Sequence, residues 1–200
     1  MSTKHIPVQA RGTSAGGRVA VPADKAAATD KAARPLAVLR VITGLVFLWA
    51  FVDKAFGLGY STASERAWFS GGSPTKGFLG HVQVGPFQST FQGWAGAAWA
   101  DWLFMIGLLA IGLALVLGIG LRIAAVSTAL MMLLMWAAEW PLAQHTSAGA
   151  ASGSTNPLID YHVVYAVVAI VVACAAAGDT WGLGKRWAAL PIVRDNQWLR

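Results

Sequence analysis

The residues most able to do chemistry lie in one stretch, Asn156-Pro157-Leu158-Ile159-Asp160-Tyr161-His162-Val163-Val164-Tyr165. It holds a carboxylate, an imidazole and two phenols, and it opens the last long apolar run of the chain. A carboxylate beside an imidazole can relay protons. His162 and Tyr165 are three residues apart, which places them on one helix face. They are the pair expected to reach a ligand. Each group also has a plainer reading. Asp160 in a first helical turn complements the helix dipole. His162 can be a satisfied interfacial histidine, and Tyr161, Trp102, Trp136 and Trp140 an aromatic belt.

Composition sets the surroundings of that stretch. Of 200 residues, 56% are hydrophobic and 12% charged, against about 25% charged in a soluble domain. Mean hydropathy is +0.55. This is the balance of an integral membrane protein, and ten Trp suit the headgroup level. The net charge of +6 is distributed as a topology signal, so no nucleic-acid partner is expected. A single cysteine, Cys174, excludes thiol–disulfide chemistry by this chain alone.

Four apolar segments predict an all-α integral membrane protein, a four-transmembrane-helix antiparallel bundle. The helices are expected at about 36–56, 102–120, 122–140 and 157–177, inside a membrane domain of 35–180. Arg40 and Lys54 flank the first and must snorkel. The second carries the small-residue stripe Ala110, Ala114 and Gly118, a pattern for close helix contact. Ala169, Ala173 and Ala177 repeat it in the fourth. Asn156 reads as that helix's N-cap and Pro157 as its first-turn proline. Residues 1–34 read as a disordered basic tail, and residues 181–200 as a second basic tail.

Between the first two helices, residues 57–101 are Gly-rich yet full of aromatics. An ordered loop is expected there, with one or two short helices at the interface or folded partly into the bundle. Twelve of the fifteen basic residues fall in the tails, Arg40 and the 2–3 turn at Arg122; Lys54, Arg66 and Lys76 fall on the other side. The positive-inside bias then predicts a multi-pass protein of the cell membrane, with both termini cytoplasmic and the loop extracytoplasmic. On that orientation Asp53, Lys54, Asp101, Glu139, His145, Asp160 and His162 gather at the outer mouth. Ionisable groups at such depth face a bundle interior or a wet cavity. Arg40, at the opposite end, reads as a topology signal or as a cation available to a ligand.

Motifs for other chemistries are missing. No Gly-rich phosphate loop follows a strand, and no flavin or nicotinamide fingerprint appears. The four histidines show no ligand spacing, so no metal is expected. Cys174 lies in apolar surroundings and reads as a packing residue.

The ordered set of segments resembles the DoxX/DoxD family of small four-helix membrane proteins. The resemblance is carried by Arg40-Val41-Ile42-Thr43-Gly44-Leu45-Val46-Phe47-Leu48 with Lys54, Gly72-Ser73-Pro74-Thr75-Lys76-Gly77-Phe78-Leu79 with Gly85-Pro86-Phe87, Asp101-Trp102-Leu103-Phe104-Met105 through Arg122, and the Asn156–Tyr165 stretch. It covers roughly 35–190. It implies the large, DoxD-type subunit of a thiosulfate:quinone oxidoreductase, in which two thiosulfates couple to tetrathionate and two electrons reach a membrane quinone. Under that implication Asp160, His162 and Glu139 handle protons. Tyr165, Tyr161, Lys54, Arg40 and Trp136 contact the quinone or substrate, the quinone is the electron acceptor, and a small partner subunit or soluble redox enzyme completes the electron path. Two other readings stay open: a non-catalytic membrane anchor of a redox or stress-response complex, and a small-solute carrier. A homo-oligomer packed through the small-residue stripes is also open.

Overall fold

The computed structural model describes residues 23–199 of the chain, so the N-terminal part of the expected tail lies outside the described residues. Helix α1 spans Ala23–Phe56, α4 Ala98–Leu117, α5 Leu121–Glu139 and α6 Tyr161–Cys174. Between α1 and α4 lie two single 3-10 turns, Ser64–Arg66 and Trp68–Ser70, and two short helices, α2 (Lys76–Leu79) and α3 (Gln88–Trp94). Helices α7 (Gly184–Ala188) and α8 (Pro191–Asp195) follow α6. No strand occurs among the described residues, only an isolated bridge between His145 and Ala151.

The all-helical expectation holds. Among the described residues, three helices are long and apolar enough to cross a membrane: Lys31–Phe56 within α1, α4 and α5. Their outward faces stay apolar, as Val126, Leu130 and Leu133 on α5 show. Such faces need an apolar solvent, and helices are one of the few forms whose backbone is satisfied in one. The inward faces join Phe47, Met105, Ile111, Leu115, Met132 and Val172 into a single core.

Three boundaries differ from the sequence reading. First, α1 begins at Ala23, not near 36, and runs through Pro35. A proline forfeits the hydrogen bond to the carbonyl four residues back. Pro35 and Lys31 are both exposed, so that freed carbonyl is accessible. Second, α6 begins at Tyr161, and its N-cap is Asp160. Asn156 caps a tighter turn instead: its Oδ1 accepts from the N–H of Leu158 and of Ile159, each at 3.0 Å. Pro157 therefore precedes the helix. Third, the stretch expected as a C-terminal tail contains α7 and α8, and Val193 of α8 is buried.

At the end of the bundle that holds the turn between α4 and α5, α1 and α4 meet closely. A Cβ on Gly44 would lie 2.9 Å from Val116 N, and one on Gly112 would lie 2.7 Å from Leu48 Cγ. Gly178 lies so close to the backbone at Gly118 that a Cβ there would meet the Gly118 carbonyl oxygen at 2.2 Å. The last four carbonyls of a helix have no partner inside it, and all four of α4 are satisfied from outside. Ala114 O accepts from Gly118 N and Ile119 N at 2.9 and 3.1 Å. Leu117 O accepts from Leu183 N at 2.8 Å. The Arg40 guanidinium takes the other two, donating to Leu115 O and, at 2.8 Å, to Val116 O. It also donates to Trp181 O at 3.1 Å. Arg40 is fully buried. Arg40, expected from the sequence to contact quinone or substrate, closes α4 at the end opposite Asp160 and His162 and is not among the groove-lining residues. Its charge also complements the C-terminal dipole of α4.

At the other end, two aspartates pin the long loop. Asp53 accepts from Ser61 N at 3.1 Å, Ser61 Oγ at 2.6 Å and Tyr60 N at 3.3 Å. Asp101 Oδ1 alone accepts from Ser73 Oγ at 2.9 Å, Thr75 N at 2.9 Å and Thr75 Oγ1 at 2.6 Å. The loop between α5 and α6 is tied to the same surface, with Ser147 N donating to Gln83 O at 2.9 Å.

Candidate functional site

The start of α6 is built by one carboxylate with two tasks. Asp160 Oδ1 accepts from His162 N at 3.0 Å and Val163 N at 3.2 Å. This is the standard capping arrangement. Its Oδ2 is left free to face the His162 ring, 2.9 Å from Nδ1. The His162 side chain is fully buried, while Asp160 keeps 16% exposure toward the mouth. Burial raises the Asp160 carboxyl, but the hydrogen bonds from the His162 ring and from the Val163 and His162 backbone outweigh it and hold the group below its ordinary 3.8. A depressed carboxyl stabilises the fold above its unfolded pKa, and that stability is lost as pH falls through the lower folded value. Thermal stability followed from pH 5 downward is therefore expected to fall more steeply for the wild type than for Asp160→Asn.

Tyr161 lies over the imidazole, with ring centroids 4.0 Å apart. Its hydroxyl donates to Glu139 Oε1 at 2.8 Å, which links α6 to the end of α5. Ligand atoms of Glu139, Asp160 and His162 lie within 4.8 Å of one another. Tyr165 meets Phe47 of α1 edge-on at 6.0 Å. The stretch thus brings four of the expected residues together, and Glu139 joins them from across the bundle.

Beside this cluster runs an apolar groove of about 810 Å³. Gly107, Ala110 and Ala114 of α4 form one wall, and Ser127, Met131 and Met135 of α5 the other. Phe78, Leu79 and Trp94 of the long loop roof it at the mouth, where Lys54, Tyr161, His162 and Tyr165 also line it. Ile119, Gly120 and Trp187 line its far end. Two buried ring nitrogens near the mouth have no hydrogen-bond partner among the described residues: Trp136 Nε1, on a residue outside the groove, and His162 Nε2, on a residue that lines it. With Nδ1 taken by Asp160, Nε2 is the ring nitrogen of this groove-lining residue that is left for a ligand.

Two expected residues stand apart. Trp136 packs on Trp140 at 5.9 Å and is not among the groove residues. Arg40 is at the other end, as described. Lys54 does line the groove, and its Nζ donates to Ser61 Oγ at 3.4 Å.

The groove itself was not evident from the sequence. Ala110 and Ala114 read there as a close-packing stripe, yet they line an open space. Small side chains permit helices to approach, but they equally leave room when a third element holds the helices apart. The roof from the long loop carried only a general signal, its aromatic content. A second, smaller and more polar pocket of about 320 Å³ lies outside the roof, lined by His81, Glu139, Thr146, Ser152 and Ser154 among others. Glu139 thus stands between the pocket and the Tyr161 hydroxyl.

No curated protein matches the chain, and no solved structure does. The DoxX family model matches residues 36–140, which is more than half of the 200 residues. The match covers both groove walls and the loop that roofs them, and it stops before Asp160 and His162. On that match the chain belongs to the DoxX family.

Proposed function

We propose that the chain is the membrane subunit of a quinone-linked oxidoreductase, and that the groove between α4 and α5 receives the quinone. One observation carries this reading: a fully buried imidazole with an unpartnered Nε2 at the head of a long apolar groove. Lipid-soluble redox ligands call for an apolar slot with one or two well-placed polar groups. His162 supplies the polar group, Tyr165 flanks it, and the walls suit an isoprenoid chain. Asp160 and the Tyr161–Glu139 pair offer proton exchange between the headgroup and the mouth.

The narrower form of the proposal is the thiosulfate:quinone type, with a partner subunit or soluble enzyme bringing the electrons. In this form α6 is the fourth span, the termini are cytoplasmic and the mouth faces outward, a reading supported by the twelve-to-three split of basic residues along the sequence. Thiosulfate is a dianion, and the polar pocket outside the roof has Glu139 as its one carboxylate and neither Lys nor Arg in its lining. The donor is therefore expected to be oxidised on the partner and not in that pocket.

The test is saturable binding of a short-chain benzoquinone to the detergent-purified protein, with solvent extraction to identify any lipid quinone that co-purifies. His162→Ala is expected to weaken binding of the reduced, hydroxyl-bearing form by about tenfold, the worth of one well-made hydrogen bond in a dry site. Membranes carrying the wild type are expected to show thiosulfate-dependent quinone reduction. A protein that neither retains nor binds quinone is an anchor, and the proposal then fails.

A further inference from the structure

The polarity of the nitrogen at the head of the groove follows from the carboxylate behind it. An ionised carboxylate can only accept hydrogen bonds. Asp160 Oδ2 lies 2.9 Å from His162 Nδ1, so Nδ1 carries the proton. In a neutral imidazole the other nitrogen then has a lone pair and no hydrogen. We infer that His162 Nε2 is a fixed hydrogen-bond acceptor, and that the groove selects a hydroxyl-bearing lipid headgroup: the hydroquinone form in preference to the quinone.

This inference rests on the groove being the quinone site and adds which redox form it holds. A quinone carbonyl set against Nε2 places two lone pairs face to face. A hydroquinone hydroxyl donates to Nε2 and satisfies a nitrogen that has no partner among the described residues. Tyr165 and Lys54 also line the groove, and as hydrogen-bond donors they can meet a carbonyl or a hydroxyl oxygen alike, so the preference between the two forms is set at Nε2. Tyr161 is occupied by Glu139 at 2.8 Å, and Lys54 Nζ is directed to Ser61 at 3.4 Å. Tighter binding of the reduced form makes the bound quinone easier to reduce. Each tenfold preference corresponds to about 30 mV in a two-electron potential.

The geometry also supplies a reversal. Asp160 Oδ1 accepts both backbone N–H bonds of the cap. In Asp160→Asn the amide oxygen must take that place, because asparagine caps as well as aspartate. The amide NH2 then falls where Oδ2 was and donates to Nδ1. The proton moves to Nε2, which becomes a donor aimed at the groove.

The experiment measures anaerobic binding of decyl-benzoquinone and of its reduced form to the purified full-length protein at neutral pH. The wild type is expected to bind the reduced form about tenfold more tightly, and Asp160→Asn to favour the oxidised form. His162→Gln, which can both donate and accept, is expected to bind both forms with no preference. Equal affinity in the wild type, or an unchanged preference in Asp160→Asn, overturns the inference while leaving the groove as the quinone site. Binding of neither form to the wild type overturns the groove assignment and this inference with it.

Discussion

Arg40→Ala is expected to destabilise the protein by about 3–5 kcal/mol, the combined cost of a large cavity and of buried carbonyls left without donors. Arg40 is fully buried, and Leu115 O and Val116 O receive their hydrogen bonds from its guanidinium. The same group reaches Trp181 O beyond α6, so one side chain joins α1, the end of α4 and the segment leading to α7. Arg40→Lys keeps the charge but loses the fork that meets several carbonyls at once. It is expected to recover less than half of the loss. Unfolding in mixed micelles of increasing denaturing detergent, followed by circular dichroism, measures both. Because His162 and the head of the groove are at the opposite end of the bundle, the residual folded protein is expected to keep its affinity for a short-chain quinone on the proposed reading.

Asp101→Ala is expected to free the roof of the groove. Three donors from Ser73 and Thr75 converge on Asp101 Oδ1, and hydrogen bonds to a charged group are worth about 1.5–3 kcal/mol each before partners readjust. Thr75, Phe78 and Leu79 belong to the groove lining, so the effect reaches the ligand. Amide exchange in residues 73–80 is expected to rise by at least about tenfold, equivalent to roughly 1.4 kcal/mol of local opening, and quinone affinity to fall with it. Asp101→Asn is the sharper comparison. Its amide oxygen can occupy the place of Oδ1 and accept all three bonds, so it is expected to lose much less than Asp101→Ala. Equal exchange in the two variants and the wild type would show that the loop is held by its aromatic contacts and not by Asp101.

Much of the helical frame is legible in the sequence because it depends on runs of one chemical kind. Uncharged stretches mark α4 and α5 within a few residues. The gathering of Asp160, Tyr161, His162 and Glu139 is also legible, since their positions along the helices put them at one end. What is not legible depends on distances that no run encodes. Arg40 and Lys54 look alike as flanking cations, yet one is sealed inside on carbonyls and the other lines the groove. The capping role lies four residues beyond Asn156, because Asp160 can reach two N–H groups and an imidazole at once. Ala110 and Ala114 have the same signature whether their helices touch or part.

The α5 wall carries a chemical consequence. Met131, Met132 and Met135 all line the groove. Thioether side chains are unbranched and polarisable, so such a wall yields to chains of different bend and length. The same sulfurs are open to oxidation, and a sulfoxide turns a flexible apolar side chain into a polar one. On the proposed quinone reading, oxidation of these three sulfurs would make the groove wall polar and is expected to weaken its hold on an apolar chain.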